Sequence, residues 1–151
     1  MAATTFGVQS TKIIGPTKST PAPGFGYGSV RSYSDTYTTA AEVATAIIVI
    51  GMIPKGAVFL GGTIETDTTL GTSTLAISTL TLTAAGVATV LSAGAYQAAA
   101  TYTAVDTPVP FGKTAVTGVA VTADTYLGLV VAVATLPTGA KIATTINCAF
   151  N

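Results

Sequence analysis

From Arg31 onward, apolar positions tend to recur every second residue, and Thr, Val and Ile fill many of them. β-Branched side chains of this kind favour the pleated, half-buried surface of a sheet. A first run, Arg31–Thr38, alternates Tyr33 and Tyr37 with small polar residues. A second, Glu42–Met52, is apolar on both faces, the pattern of a central strand. Pro54-Lys55-Gly56 then reads as a turn. In the third run, Ala57–Thr66, strict alternation puts Val58, Leu60 and Ile64 on one face and Phe59, Thr63 and Glu65 on the other. Thr68–Thr72, around Gly71, is a second turn. In the run that begins at Thr74, Leu75 and Ile77 share one parity while Leu80 and Leu82 share the other. A one-residue slip reverses every side chain, so a bulge or break is expected near Ser78-Thr79.

The second half is more mixed. Gly86 is followed by a short run, Val87–Leu91. The alanine-rich stretch Ser92–Ala100 reads as a loop, since Gly94 weakens a helix there. Thr101–Asp106 reads as a strand, and Pro108-Val109-Pro110 bars a central strand. Ala115–Thr122 and Tyr126–Thr135 suggest a hairpin around Ala123-Asp124. After a turn at Pro137-Thr138-Gly139, a final strand Ala140–Asn151 puts Ile142, Ile146, Cys148 and Phe150 on one face. The result is an all-β domain of about eight strands, spaced by roughly 8–15 residues, with no convincing helix: a sandwich or barrel. Val58, Leu60, Ile64, Ile142 and Ile146 are its expected core.

Residues 1–29 break the pattern. They hold STPAPGFGYGS and no periodic apolar positions, which predicts an extended N-terminal arm ahead of a sandwich domain at 30–151. Phe6, Phe25 and Tyr27 are the aromatics of that arm, and they are candidate anchors on a neighbour. Tyr33 and Tyr37 extend the candidate interface into the first strand.

Composition narrows the function. Charged residues make up 8% of the 151-residue chain, against about 25% in an ordinary soluble domain. A surface coated with Thr, Ser and Ala is poorly defended against association, so a homo-oligomer covered by partners is expected. Six basic and six acidic residues give zero net charge, and the basic ones are scattered. Nucleic-acid binders need clustered Lys and Arg, so neither nucleic acid nor an anionic membrane is an expected partner. The longest apolar stretch, Val43–Ile53, is about eleven residues, where a membrane-spanning helix needs about twenty. The first twelve residues lack the apolar core of a signal peptide, so synthesis without a cleaved leader is expected.

Candidate chemistry is sparse. The sequence has no histidine and one cysteine. One chain therefore supplies no Ser-His-Asp triad, zinc site, iron–sulfur site or intrachain disulfide. Cys148 reads as a small buried hydrophobe. Gly112-Lys113-Thr114 lacks the glycine five positions earlier that a phosphate loop needs, since Thr107 stands there. Gly24-Phe25-Gly26-Tyr27-Gly28 lacks the spacing of a dinucleotide fingerprint. Glu65 and Asp67 share one face of a strand and could hold a hard cation. A pair of solvated charges at a strand end is the plainer reading. No catalytic site, metal or cofactor is expected, and the chain does not read as an enzyme.

Several segments resemble a known group. Met1–Gly7 opens like a small, Thr-rich structural arm, and Ile53-Pro54-Lys55-Gly56-Ala57-Val58-Phe59-Leu60 is similar to a turn and strand of head decoration, or cement, proteins of tailed bacteriophages. Asp67-Thr68-Thr69-Leu70-Gly71-Thr72-Ser73-Thr74-Leu75 resembles their next segment. Thr117–Val121 followed by Gly128–Val131 resembles their closing hairpin. The resemblance implies a jelly-roll-like antiparallel β-sandwich bound to the outside of the capsid lattice. It implies the major capsid protein as partner, trimers over local threefold axes, and a virion location after synthesis in the host cytoplasm. The group often carries acidic residues after the second segment, whereas Ser78–Thr83 is uncharged, so an ion site is not carried over. The alternative is a head-fibre, tail, receptor- or glycan-binding module. Such a module should expose aromatics at loop tips, where only Tyr96 and Tyr102 come close.

Overall fold

A computed structural model describes residues 30–150 and, as backbone, residues 4–6. The described residues form nine strands and no helix: β1 (Thr4–Phe6), β2 (Val30–Thr38), β3 (Ile47–Ile53), β4 (Val58–Thr66), β5 (Thr74–Leu82), β6 (Ala88–Thr101), β7 (Val109–Phe111), β8 (Thr125–Ala132) and β9 (Lys141–Ala149). They build two sheets, ordered β1-β3-β8-β5-β6 and β2-β9-β4-β7. Within 30–150 the chain behaves as one long ribbon doubled back at the β5–β6 turn. β5 pairs with β6, β4 with β7, β3 with β8 and β2 with β9, all antiparallel. The ribbon winds around a common core, and β8–β5 and β9–β4 close the two sheets. This nested arrangement is a jelly roll, so the expected all-β sandwich is observed. One pairing departs from the antiparallel rule: β1 lies parallel to β3, with Thr4 opposite Ile47 and Phe6 opposite Val49.

The core lies between the sheets, where Ile48, Ile64, Leu75, Ile77, Leu127 and Ile146 are fully buried. Phe59 sits at its centre. Its ring meets Tyr96 of the opposite sheet edge-on at 4.8 Å and stacks on Phe111 at 6.0 Å. Aromatic pairs of this geometry add about 0.5–1.5 kcal/mol each beyond area burial. Close approach of β4 to its neighbours depends on Gly62. A Cβ there would lie 2.2 Å from Phe111 Cζ and 2.5 Å from the Thr145 carbonyl oxygen.

Several expectations need correction. Ile64, Ile142 and Ile146 are core residues as expected, but Leu60 is 43% exposed and Val58 only half-buried, while Phe59 is 0% exposed. The pairing of β4 with β9 shifts between Phe59 and Gly61, and Gly61 takes φ +129°. This bulge reverses the parity, so Phe59 and Ile64 point the same way. Ser92–Ala100 is not a loop but the centre of the 14-residue β6, which ends at Thr101; the strand expected over Thr101–Asp106 is absent. Here four residues of β6 oppose the single Ser78 of β5, since Ile77 pairs with Gln97 and Thr79 with Ser92. Gly94 adopts φ +59° and donates its N–H to Ser78 Oγ at 2.9 Å, and Tyr96 turns into the core. The β5–β6 ladder is thus irregular at Ser78-Thr79, with the extra residues on β6, but β5 itself does not slip: it pairs with β8 without a shift, so Leu75 and Ile77 face the main core while Leu80 and Leu82 face the outer side of the sheet. Finally, 115–122 forms no hairpin with β8, which pairs with β3 and β5. It crosses one end of the sandwich, held by a bridge between Ala120 and Val58 and by Val121 N–H donating to Ala57 O.

Candidate functional site

The β2–β3, β4–β5, β6–β7 and β8–β9 connections gather at one end of the sandwich. Backbone bonds fasten them: Leu136 N–H donates to Glu42 O at 2.9 Å, Gly139 N–H to Thr39 O at 2.8 Å, Leu70 N–H to Tyr102 O at 3.0 Å and Asp106 N–H to Thr66 O at 2.9 Å. Ser73 Oγ adds bonds to Ala134 O and Thr135 O at 3.2 and 3.0 Å. Glu42 is the buried pin of this end. Its carboxylate accepts Tyr37 Oη–H and, at 3.0 Å, Ala40 N–H. Among the described residues, every non-glycine with positive φ sits here: Ala41 (64°), Thr45 (77°), Asp106 (50°) and Val133 (73°). A β-branched residue in that conformation is strained, and such strain persists only where surrounding structure enforces it. Val133 is also 74% exposed, and Val43 in the facing loop 60%. The opposite end is stitched by Lys55 N–H to Asp124 Oδ1 at 2.8 Å and Gly118 N–H to Phe59 O at 2.8 Å, with its positive-φ positions at glycines such as Gly56 and Gly118.

The outer faces differ. On the smaller sheet, Ser32 Oγ–H donates to Asn147 Oδ1 at 2.6 Å and Ser34 shares a hydroxyl bond with Thr145 at 3.2 Å. This carpet is polar but nearly uncharged. The larger sheet carries a second apolar cluster on its outer face, Ile47, Val49, Leu80 and Ala88, packed with Leu82, Val90 and Tyr126. An open apolar groove beside it is lined by Ile47, Ala88, Val90, Ala93, Val130 and Ala132.

Of the expected interface aromatics, Tyr33 and Tyr37 are half-buried against the main core. Phe25 and Tyr27 lie outside the described residues, as does the Phe6 side chain. Tyr96 and Tyr102 are buried, and no aromatic in 30–150 is exposed. Burial pushes the Tyr33, Tyr96 and Tyr102 hydroxyls above the ordinary phenol range. Cys148 is 0% exposed and burial pushes its thiol up to about 11, which makes it an inert packing group at neutral pH. Asp67 accepts Lys141 N–H at 2.7 Å, tying the β4 end to β9, while Glu65 is half-buried. Among the described residues no cluster of three or more His, Cys, Asp or Glu could hold a metal ion. The strained loop end and the outer apolar face were not anticipated: Ala41, Thr45, Asp106 and Val133 take positive φ without being glycine, and the off-parity Leu80 and Leu82 of the outer face read equally well as a slip of the strand.

No protein-family model and no curated protein matches this chain. Two solved structures do. A chain of the capsid of Ralstonia phage GP4 superposes with a TM-score of 0.73 at 19% identity, covering 99% of both chains. The fold is therefore shared with a phage capsid chain. A chain of the cyanophage Pam1 capsid asymmetric unit superposes with a TM-score of 0.61 at 22% identity, over 87% of this chain and 93% of that one.

Proposed function

We propose that this chain is a structural protein of a phage virion, one that binds the outside of the capsid lattice as a homotrimer and stabilises the head. The observation that carries the reading is the end-to-end likeness, over 99% of both chains, to a chain of a phage capsid. The surface supports it. Charged residues are 8% of the chain, and across β2 and β9 the exposed hydroxyls of Ser32 and Ser34 bond to Asn147 Oδ1 and the Thr145 hydroxyl. Covering Ser and Thr costs far less than covering charge. A receptor- or glycan-binding role lacks a matching feature, since no described aromatic is exposed for stacking.

Contact with the capsid falls to the strained loop end, where Val43 and Val133 stand out from a fastened platform whose connections expose few charges, Asp67 and Asp106. The N-terminal arm, with Phe6, Phe25 and Tyr27, adds anchors, and the major capsid protein is the partner. The test adds purified protein to undecorated heads and measures occupancy and the temperature at which heads rupture. Intact protein should fill its sites and raise that temperature. Val43→Glu/Val133→Glu should lower occupancy at least tenfold with unchanged thermal unfolding of the free protein. Failure of the intact protein to bind heads sinks the reading; equal occupancy of the double variant removes the loop end from the contact.

A further inference from the structure

β3 is an unusual strand to leave at a sheet edge. Its sequence, Ile47-Ile48-Val49-Ile50-Gly51-Met52-Ile53, holds no charge and no proline, and five of its seven residues are buried. Natural edges are blunted by charge, proline or a cover, because unpaired N–H and C=O groups beside apolar side chains recruit other chains. The cover here is β1, paired parallel to β3 over Thr4–Phe6.

The connection behind β1 is far longer than this pairing needs. β2 lies against β3 across the sandwich, so the β1 and β2 edges share one flank. β1 runs parallel to β3, and β2 enters β3 through a short connection, so the end of Phe6 and the start of Val30 face the same end of the molecule. A handful of residues would join them, yet 23 intervene, residues 7–29. At full extension these reach about 75–80 Å, against about 30 Å for a nine-residue strand. Connections beyond about 12–15 residues are uncommon in compact domains and are usually functional.

We propose that β1 is an exchanged strand: Thr4–Phe6 of one copy completes the β3 edge of a neighbouring copy. The pairing within one chain is the closed form of the same contact. Exchange keeps the ladder bonds identical and changes only which chain supplies them, which is the low-cost route to an oligomer. Each copy gives one strand and accepts one. This head-to-tail contact closes when three copies form a ring, leaving no bare β3 edge. The inference rests on the proposed self-association and is independent of capsid binding.

The test uses the full chain with Cys148→Ala as background, so that each copy carries only the cysteines placed at register partners. Thr4→Cys copies are mixed with Ile47→Cys copies, refolded together, oxidised with diamide, and run denatured without reductant. Exchange yields a covalent two-chain product from the mixture, and covalent multimers from the doubly substituted chain. Phe6→Cys with Val49→Cys repeats the measurement should Ile47→Cys fail to fold. Thr4→Pro/Thr5→Pro is the independent arm: alternate N–H groups of a strand face its neighbour, so the pair must delete a ladder donor. Its oligomer dissociation constant should rise at least tenfold. A cross-link confined within single chains, no cross-link at all, or an unchanged dissociation constant overturns the exchange. Oligomer mass by light scattering and occupancy on heads, read on intact protein, report separately on self-association and capsid binding.

Discussion

Gly62→Ala adds one methyl group to the centre of the smaller sheet, and the structure sets its cost. The new Cβ would lie 2.2 Å from Phe111 Cζ and 2.5 Å from Thr145 O. The two neighbours answer differently. Phe111 can tilt only by loosening its stack on Phe59, since its ring is buried on β7. Thr145 O belongs to the β4–β9 ladder, in which Gly62 faces Ile146 and Thr63 faces Thr145, so it moves only if those hydrogen bonds lengthen. Overpacking of a core costs typically 1–3 kcal/mol, and disturbing a ladder bond adds about 1 kcal/mol. The expected loss is about 3 kcal/mol, a large part of the 5–15 kcal/mol that holds a domain folded. Gly56→Ala is the control: its Cβ meets nothing within 4 Å, and only the φ of +82° is strained, which costs about 1–2 kcal/mol. Urea unfolding followed by far-ultraviolet circular dichroism gives both values. A Gly62→Ala loss below about 1 kcal/mol, or no larger than that of Gly56→Ala, refutes the packing argument.

Two further outcomes follow from buried groups. Glu42→Ala leaves Tyr37 Oη and Ala40 N–H without their acceptor and should cost about 2–3 kcal/mol, while Glu42→Gln, which keeps an acceptor, should cost about half that; equal losses in urea unfolding would show that the carboxylate pins nothing. Cys148, at about 11 in the fold against 9.0 for a free thiol, keeps its proton when the unfolded chain has lost it. Stability is therefore full below pH 9 and falls as pH rises toward 11, by roughly 2–3 kcal/mol in all; Cys148→Ala should flatten that fall, and an unchanged slope from pH 9 to 11 counts against it, the raised phenols of Tyr33, Tyr96 and Tyr102 supplying whatever remains.

Alternation read the faces correctly wherever the ladder is regular. Ile142, Ile146 and Cys148 share the inner face of β9 as their spacing requires, whereas the change of parity between Ile77 and Leu80 came from an outer face that is also apolar and not from a slip of β5, which pairs with β8 without a shift. It failed at Phe59 because Gly61 inserts a bulge two residues later; the Gly61-Gly62 pair was the available signal. β6 was hidden for a different reason. Alanine has little preference for strands, and what holds this segment is a tertiary bond from Gly94 N–H to Ser78 Oγ, sixteen residues away in sequence. The Val-rich segment 115–122 has strand composition, yet its backbone bonds go to the β3–β4 turn across one end of the sandwich. The strained end was illegible because Ala41, Thr45 and Val133 reach positive φ without the glycines that usually announce it.

The two kinds of surface call for different partners. Strand exchange at β3 covers an edge made of backbone groups, and any chain that supplies an extended segment satisfies it; specificity comes from tether length and from the local concentration of identical copies. The loop end has no free ladder. Its backbone groups are tied across four connections, so a partner meets a rigid platform with protruding Val43 and Val133 and loses little entropy in binding. With few charges to orient it, one such contact is weak. Three copies joined through β3 would present three platforms at once, and on a repeating shell each later contact forms at high effective concentration. An oligomer closed by exchanged strands would thus let a weak, nearly uncharged contact hold firmly to a lattice without strengthening any single interface.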